Sequence, residues 1–170
     1  ITSSSASLKW TNANPTDTEW DILLVPSTTM TPPTVLPPTN PSIPGMILIS
    51  GNTTPSPLTV NTLTPATIYF YYIRTVCSDI DSSVWEGPFV FNTPICDESE
   101  KCNHQFTMID IGGNGWEGGI MEVRQNGILV KAIGPGFTST GPINVTVALC
   151  DGVPFDLYWK TAGDNPQEIA

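Results

Sequence analysis

Residues 63–77 read LTPATIYFYYIRTVC, with Leu63, Pro65, Thr67, Tyr69, Tyr71, Ile73 and Thr75 at a strict spacing of two. Side chains two apart share one face of a strand, and aromatic and β-branched residues fit its pleat. The stretch therefore predicts a long strand with a tyrosine-bearing face. The same alternation recurs upstream, with Ala6, Leu8 and Trp10 in one segment and Trp20, Ile22 and Leu24 in the next. Downstream, Gly87–Thr93 (GPFVFNT) alternates again and closes the first half. Nine prolines lie from Pro26 to Pro57, both included. Proline withholds a ladder donor, so this span is expected to be loop or edge, apart from a short strand at Met46–Ile49.

Composition points the same way. Seventeen prolines and fourteen glycines, with abundant Thr, Ser and Val, favour short strands joined by turns. No window of about a dozen residues carries apolar side chains at helical spacing. A hydrophobic content of 39% is enough for a packed core. The net charge is −10, and the six cations, Lys9, Arg74, Lys101, Arg124, Lys131 and Lys160, are scattered. Phosphate backbones and anionic lipid need clustered cations, so neither nucleic acid nor membrane is an expected partner. An acidic surface suits solubility in salty extracellular media and can gather divalent cations, although solubility alone requires no ligand. No apolar run approaches the about 20 residues of a membrane span. The chain opens at Ile1-Thr-Ser-Ser-Ser without an initiator Met or signal peptide, and is expected to be a piece of a longer protein.

Trp10, Leu63, Pro65, Thr67 and Tyr69 together resemble the fibronectin type III pattern. That pattern has an early core Trp, then Leu-x-Pro-x-Thr-x-Tyr entering the penultimate strand, with the Tyr in a corner tying loop to strand. The match covers about residues 1–94. Its form YFYYIRTVCSDIDSSVWEGPFVFNT is similar to type III domains of secreted Bacteroidetes proteins. The resemblance implies a β-sandwich whose first strand is missing from this chain.

An acidic connector, Asp97–Glu100, leads into the second half. Strands are expected at His104–Ile109, Ile120–Arg124, Ile128–Ile133, Ile143–Leu149 and Phe155–Trp159. Asn126-Gly127 marks a hairpin, and Pro135 and Gly136 a break. At least five strands suggest a second, jelly-roll-like sandwich over 95–170, incomplete at its C-terminus. Cys102–Asp110 followed by Gly113-Asn-Gly-Trp-Glu-Gly118 resembles a module of secreted flavobacterial proteins that carries a Gly-Asp-Gly-Trp-Asn-Gly loop. Asn114 and Glu117 replace its Asp and Asn. The expected fold is thus all-β, two β-sandwich modules in tandem.

Four cysteines are consistent with an oxidising compartment. Cys102 opens one strand and Cys150 closes another, so antiparallel neighbours would bring them together, and Cys102–Cys150 is the expected disulfide. Cys77 is expected to be free or paired upstream of this chain. Cys96 is left with Cys102 or a residue beyond Ala170. Zinc is disfavoured because no Cys-x-x-Cys occurs.

The segment Asp110–Gly119, DIGGNGWEGG, holds five glycines, a Trp and three oxygen-bearing side chains. Such glycine density makes it a tightly shaped loop. One reading is a calcium clasp, with Asp110, Asn114 and Glu117 and the carbonyls near Gly112 and Trp116 as ligands. A second is a wide β-bulge in which Trp116 plugs the end of the sandwich. A third exposes Trp116 to a carbohydrate or peptide. His104, the single histidine, reads as a strand-surface residue rather than a member of a catalytic triad, and nothing frames a pair of carboxylates for glycoside cleavage. The expected role is a non-enzymatic, structural or adhesive segment of an extracellular or cell-surface bacterial protein. Its partners would be neighbouring domains of the same longer chain, surface glycans or copies of itself. The alternatives are accessory modules of a secreted peptidase or glycanase, and a carbohydrate-binding module.

Overall fold

The computed structural model describes residues 1–12, 14–33, 43–134, 136–138 and 141–164; Pro135 and the part of the proline-rich span over 34–42 lie outside them. The chain is all-β, and its strand pairs are antiparallel. The helical element among the described residues is one 3-10 turn, Glu98–Glu100. None is a helix long and apolar enough to cross a membrane. Two compact units are present, Ile1–Cys96 and Asp97–Ala170.

In the first unit, β1 (Ala6–Leu8) pairs with β4 (Leu58–Val60). A second sheet is built on β2 (Trp20–Ser27), which lies between β3 (Ile47–Asn52) and β5 (Ile68–Ser78). The short β6 (Asp81–Ser82) and β7 (Glu86–Asn92) both pair with β5. The expected alternation decides the packing. Ala6, Leu8 and Val60 form one cluster with Trp20, Ile22, Leu24, Tyr69 and Ile73. The opposite parity of the central strands, Leu23, Val25, Phe70 and Tyr72, forms another, covered by Ile43, Met46 and Trp85. That is why IYFYYI is apolar at every position: β5 is buried on both faces.

Two polar ties fix this sheet. Thr64 N–H donates to the hydroxyl of buried Tyr69 at 2.9 Å. Asp21 and Arg74 are cross-strand partners, and the guanidinium donates twice to Asp21 Oδ2, at 2.9 and 2.7 Å. The Ser50 hydroxyl and Gly51 N–H donate to Oδ1, each at 2.9 Å. Burial opposes ionisation of Asp21, but these donors outweigh it and hold its carboxyl below the usual value.

In the second unit, β8 (Lys101–Met108) pairs with β11 (Ile143–Cys150), and β9 (Ile120–Gln125) lies between β10 (Ile128–Ile133) and β12 (Phe155–Thr161). Met108, Val147 and Leu149 from the first sheet pack with Val123 and Ile133 from the second. Gln125 is buried and clamps the end of β11. Its Oε1 accepts the Cys150 N–H at 2.9 Å, and its Nε2 donates to the Cys150 and Val153 carbonyls at 3.0 and 2.8 Å. On β9, Glu122 is covered by Arg124 and Lys160. The Arg124 hydrogen bond does most to hold its carboxyl below the usual value, against the opposing effect of desolvation.

The expected Cys102–Cys150 disulfide does not form. Cys150 is disulfide-bonded, as is Cys96, while Cys102 and Cys77 are free and exposed. The reason is strand parity: Cys102 is opposite Leu149 and Cys150 opposite Lys101, so the two cysteines point to opposite faces of their ladder.

Candidate functional site

The loop between β8 and β9 is organised around Trp116. Its ring is only 3% exposed. It meets Phe137 edge-on at 5.6 Å and Trp159 at 5.3 Å, and its indole N–H donates to the Ile109 carbonyl at 3.2 Å. The backbone is pinned as well. Trp116 N–H donates to the Phe137 carbonyl at 3.1 Å, and Gly119 N–H to the Trp116 carbonyl at 2.6 Å. Two glycines are required by this approach. A Cβ on Gly115 would lie 2.2 Å from the Phe137 carbonyl oxygen, and one on Gly134 would lie 2.5 Å from the Trp116 ring. The expectation that Trp116 contacts a ligand is therefore corrected: an indole closed in by Phe137, Trp159 and Gly134 offers no stacking face.

The five expected calcium ligands divide. Asp110 is 4% exposed; its Oδ2 accepts the Gly115 N–H at 2.8 Å, and its Oδ1 is buried with no hydrogen-bond partner among the described residues. Asn114 donates through Nδ2 to Glu117 Oε1 at 2.8 Å, with Glu117 at φ +46°. Gly112 is exposed. The Trp116 carbonyl is taken by Gly119 N–H and abuts Gly163, whose Cβ would come within 2.4 Å of it, so it leaves the ligand set. Among the described residues no three of His, Cys, Asp and Glu converge as a metal cluster. His104 is exposed on β8, its Nδ1 3.2 Å from the Cys102 carbonyl and its ring 6.1 Å from Phe155.

A second feature escapes sequence reasoning. A cleft of about 610 Å³ in the first unit is lined by Trp10, Trp20, Tyr71 and Phe89, with Asp17 and Glu86 among its polar residues. Phe89 is 43% exposed and meets Tyr71 at 5.0 Å. Trp10 Nε1 is buried without a hydrogen-bond partner among the described residues. Burial pushes the Tyr71 phenol up, so it stays a neutral donor and acceptor through ordinary pH. The signal was the inward parity shared by Tyr71, Ile73 and Thr75, but only the fold brings Trp10 and Phe89 to it. Comparison with protein-family models, with curated proteins and with solved structures finds no match to this chain.

Proposed function

We propose that this chain is a non-enzymatic structural or adhesive segment of a secreted or cell-surface bacterial protein. It would consist of a fibronectin type III-like sandwich followed by a jelly-roll-like one. The hydrogen bond from Thr64 N–H to Tyr69 carries this reading. It is the corner contact that the Leu-x-Pro-x-Thr-x-Tyr resemblance implies, made at the entry to β5. The disulfide-bonded state of Cys96 and Cys150 and the acidic composition support an oxidising, extracellular setting. The working partners would be neighbouring domains of a longer chain, surface glycans or other copies. In the producing cell, an in-frame deletion of this segment should leave export of the parent intact and reduce attachment to surfaces. Unchanged attachment with the deleted protein still displayed would refute the adhesive role.

The aromatic cleft favours a second reading, carbohydrate binding at Tyr71 and Phe89 rather than at Trp116. Aromatic faces and mixed donors and acceptors suit a pyranose ring. A glycan array should then show a bound class that is lost on Phe89→Ala. Binding that survives this change would exclude the cleft.

A further inference from the structure

We propose that the turn Asp110–Gly115 holds a hard divalent cation, Ca²⁺, through Asp110 Oδ1. The carboxylate of Asp110 has no counter-charge among the described residues. Asp110 is almost wholly buried, yet among the described residues its carboxylate takes one backbone N–H on Oδ2 and nothing on Oδ1. A buried carboxylate without a counter-charge is costly, whereas one bound to a metal is not.

The surroundings select the ion. Gly115 N–H fixes the carboxylate inside the turn, and Ile111, Gly112, Gly113 and Asn114 along the turn are exposed. Gly113 and Gly115 adopt φ of +87° and +85°, a left-handed conformation that glycine reaches without steric cost. The remaining ligands would be backbone carbonyls of this turn and water. Oxygen donors on a compliant glycine backbone suit Ca²⁺, which accepts irregular shells, better than Mg²⁺, which demands a near-ideal octahedron. The same donors do not suit Zn²⁺, which prefers nitrogen and sulfur. Asn114 and Glu117 are tied to each other and serve as a brace across the loop tip rather than as required ligands.

The test is calorimetric titration of the whole chain with Ca²⁺ alone, together with Tb³⁺ luminescence excited through indole. A saturable heat is expected, weakened at least about tenfold by Asp110→Asn. Tb³⁺ emission should appear, be displaced by Ca²⁺, fall sharply in Trp116→Phe and persist in Trp85→Phe. If Asp110→Asn fails to fold, the luminescence pair still locates the ion in unaltered binding chemistry. The proposal is overturned by no saturable heat at millimolar Ca²⁺, by unchanged affinity in folded Asp110→Asn, or by Tb³⁺ emission indifferent to Trp116.

Discussion

Replacing Gln125 tests how the second unit is held together. The amide spans from the end of β9 to the last residue of β11, making three hydrogen bonds with the backbone of Cys150 and Val153. Removing it does not affect the three backbone groups equally. The Cys150 carbonyl also faces the Val153 N–H, at 3.4 Å, and keeps that contact. The Cys150 N–H donates to Gln125 Oε1 in a buried setting, where an orphaned donor costs about 1–3 kcal/mol. Gln125→Met keeps most of the volume and loses the bonds, so it should cost about 2–3 kcal/mol. Gln125→Ala adds a cavity and should cost about 3–5 kcal/mol. Gln125→Glu retains the acceptor for Cys150 N–H but turns a second oxygen toward two carbonyls, and should be at least as damaging as Met. The measurement is urea unfolding under oxidising conditions, with hydrogen exchange at the Cys150 amide as a local probe. A Met variant within about 0.5 kcal/mol of the parent, with Cys150 still protected, would refute the clamp.

Four further outcomes are expected. Cys150→Ser removes a disulfide-bonded cysteine and should cost about 2–5 kcal/mol in thermal unfolding, whereas Cys102→Ser should be neutral; the reverse pattern would restore the Cys102 pairing. Gly134→Ala drives a methyl into the Trp116 ring at a φ of +104° and should cost about 3 kcal/mol, against about 1 kcal/mol for Gly118→Ala, where the space is open; equal costs in urea titration would show that the ring is not closely packed. Tyr69→Phe should lose about 1 kcal/mol by removing the Thr64 contact, measured by unfolding midpoint; no loss would remove the energetic case for the corner. Asp21 has a depressed folded pKa, so its contribution is complete above the unfolded carboxylate value of about 3.9 and is lost as pH falls through the lower folded value; Asp21→Asn should flatten the acid limb of stability against pH, and an unaltered limb would show that Asp21 does not generate it.

Long elements were legible because β-branched and aromatic residues run on over many positions where both faces are buried. β2 and β5 carry that imprint, and Tyr69 adds a corner whose partner lies only five residues away. β4 and β6 left none, since three and two residues are too few to show a period. Distance along the chain defeated the rest. Gln125 reads as a solvent-facing polar residue at a hairpin until the fold brings Cys150 beside it. Cys102 and Cys150 sit at the right ends of neighbouring strands, and the pairing failed by a single register step that sequence does not specify.

The glycine loop shows where reading stopped and why. Its glycine density correctly implied a tight loop, but a clasp, a plug and an exposed ring all require tight loops. The discriminating facts lie outside the decamer: Phe137, Trp159 and Gly134 close over Trp116 from residues the motif does not contain. Packing around the indole explains Gly115 and leaves other features untouched. Gly118 has open space where its Cβ would be, Gly113 is exposed at positive φ, and Asp110 Oδ1 has no hydrogen-bond partner among the described residues. If architecture were the whole account, an isosteric Asn at 110 would keep the Gly115 hydrogen bond and relieve a buried charge, so Asp110→Asn should be neutral or stabilising without Ca²⁺. With Ca²⁺ at saturation the parent alone should gain stability, by RT ln(1 + [Ca²⁺]/Kd). A crossing of the two stability curves as Ca²⁺ rises would separate the plug from the clasp within one loop, whereas parallel curves would leave only the plug.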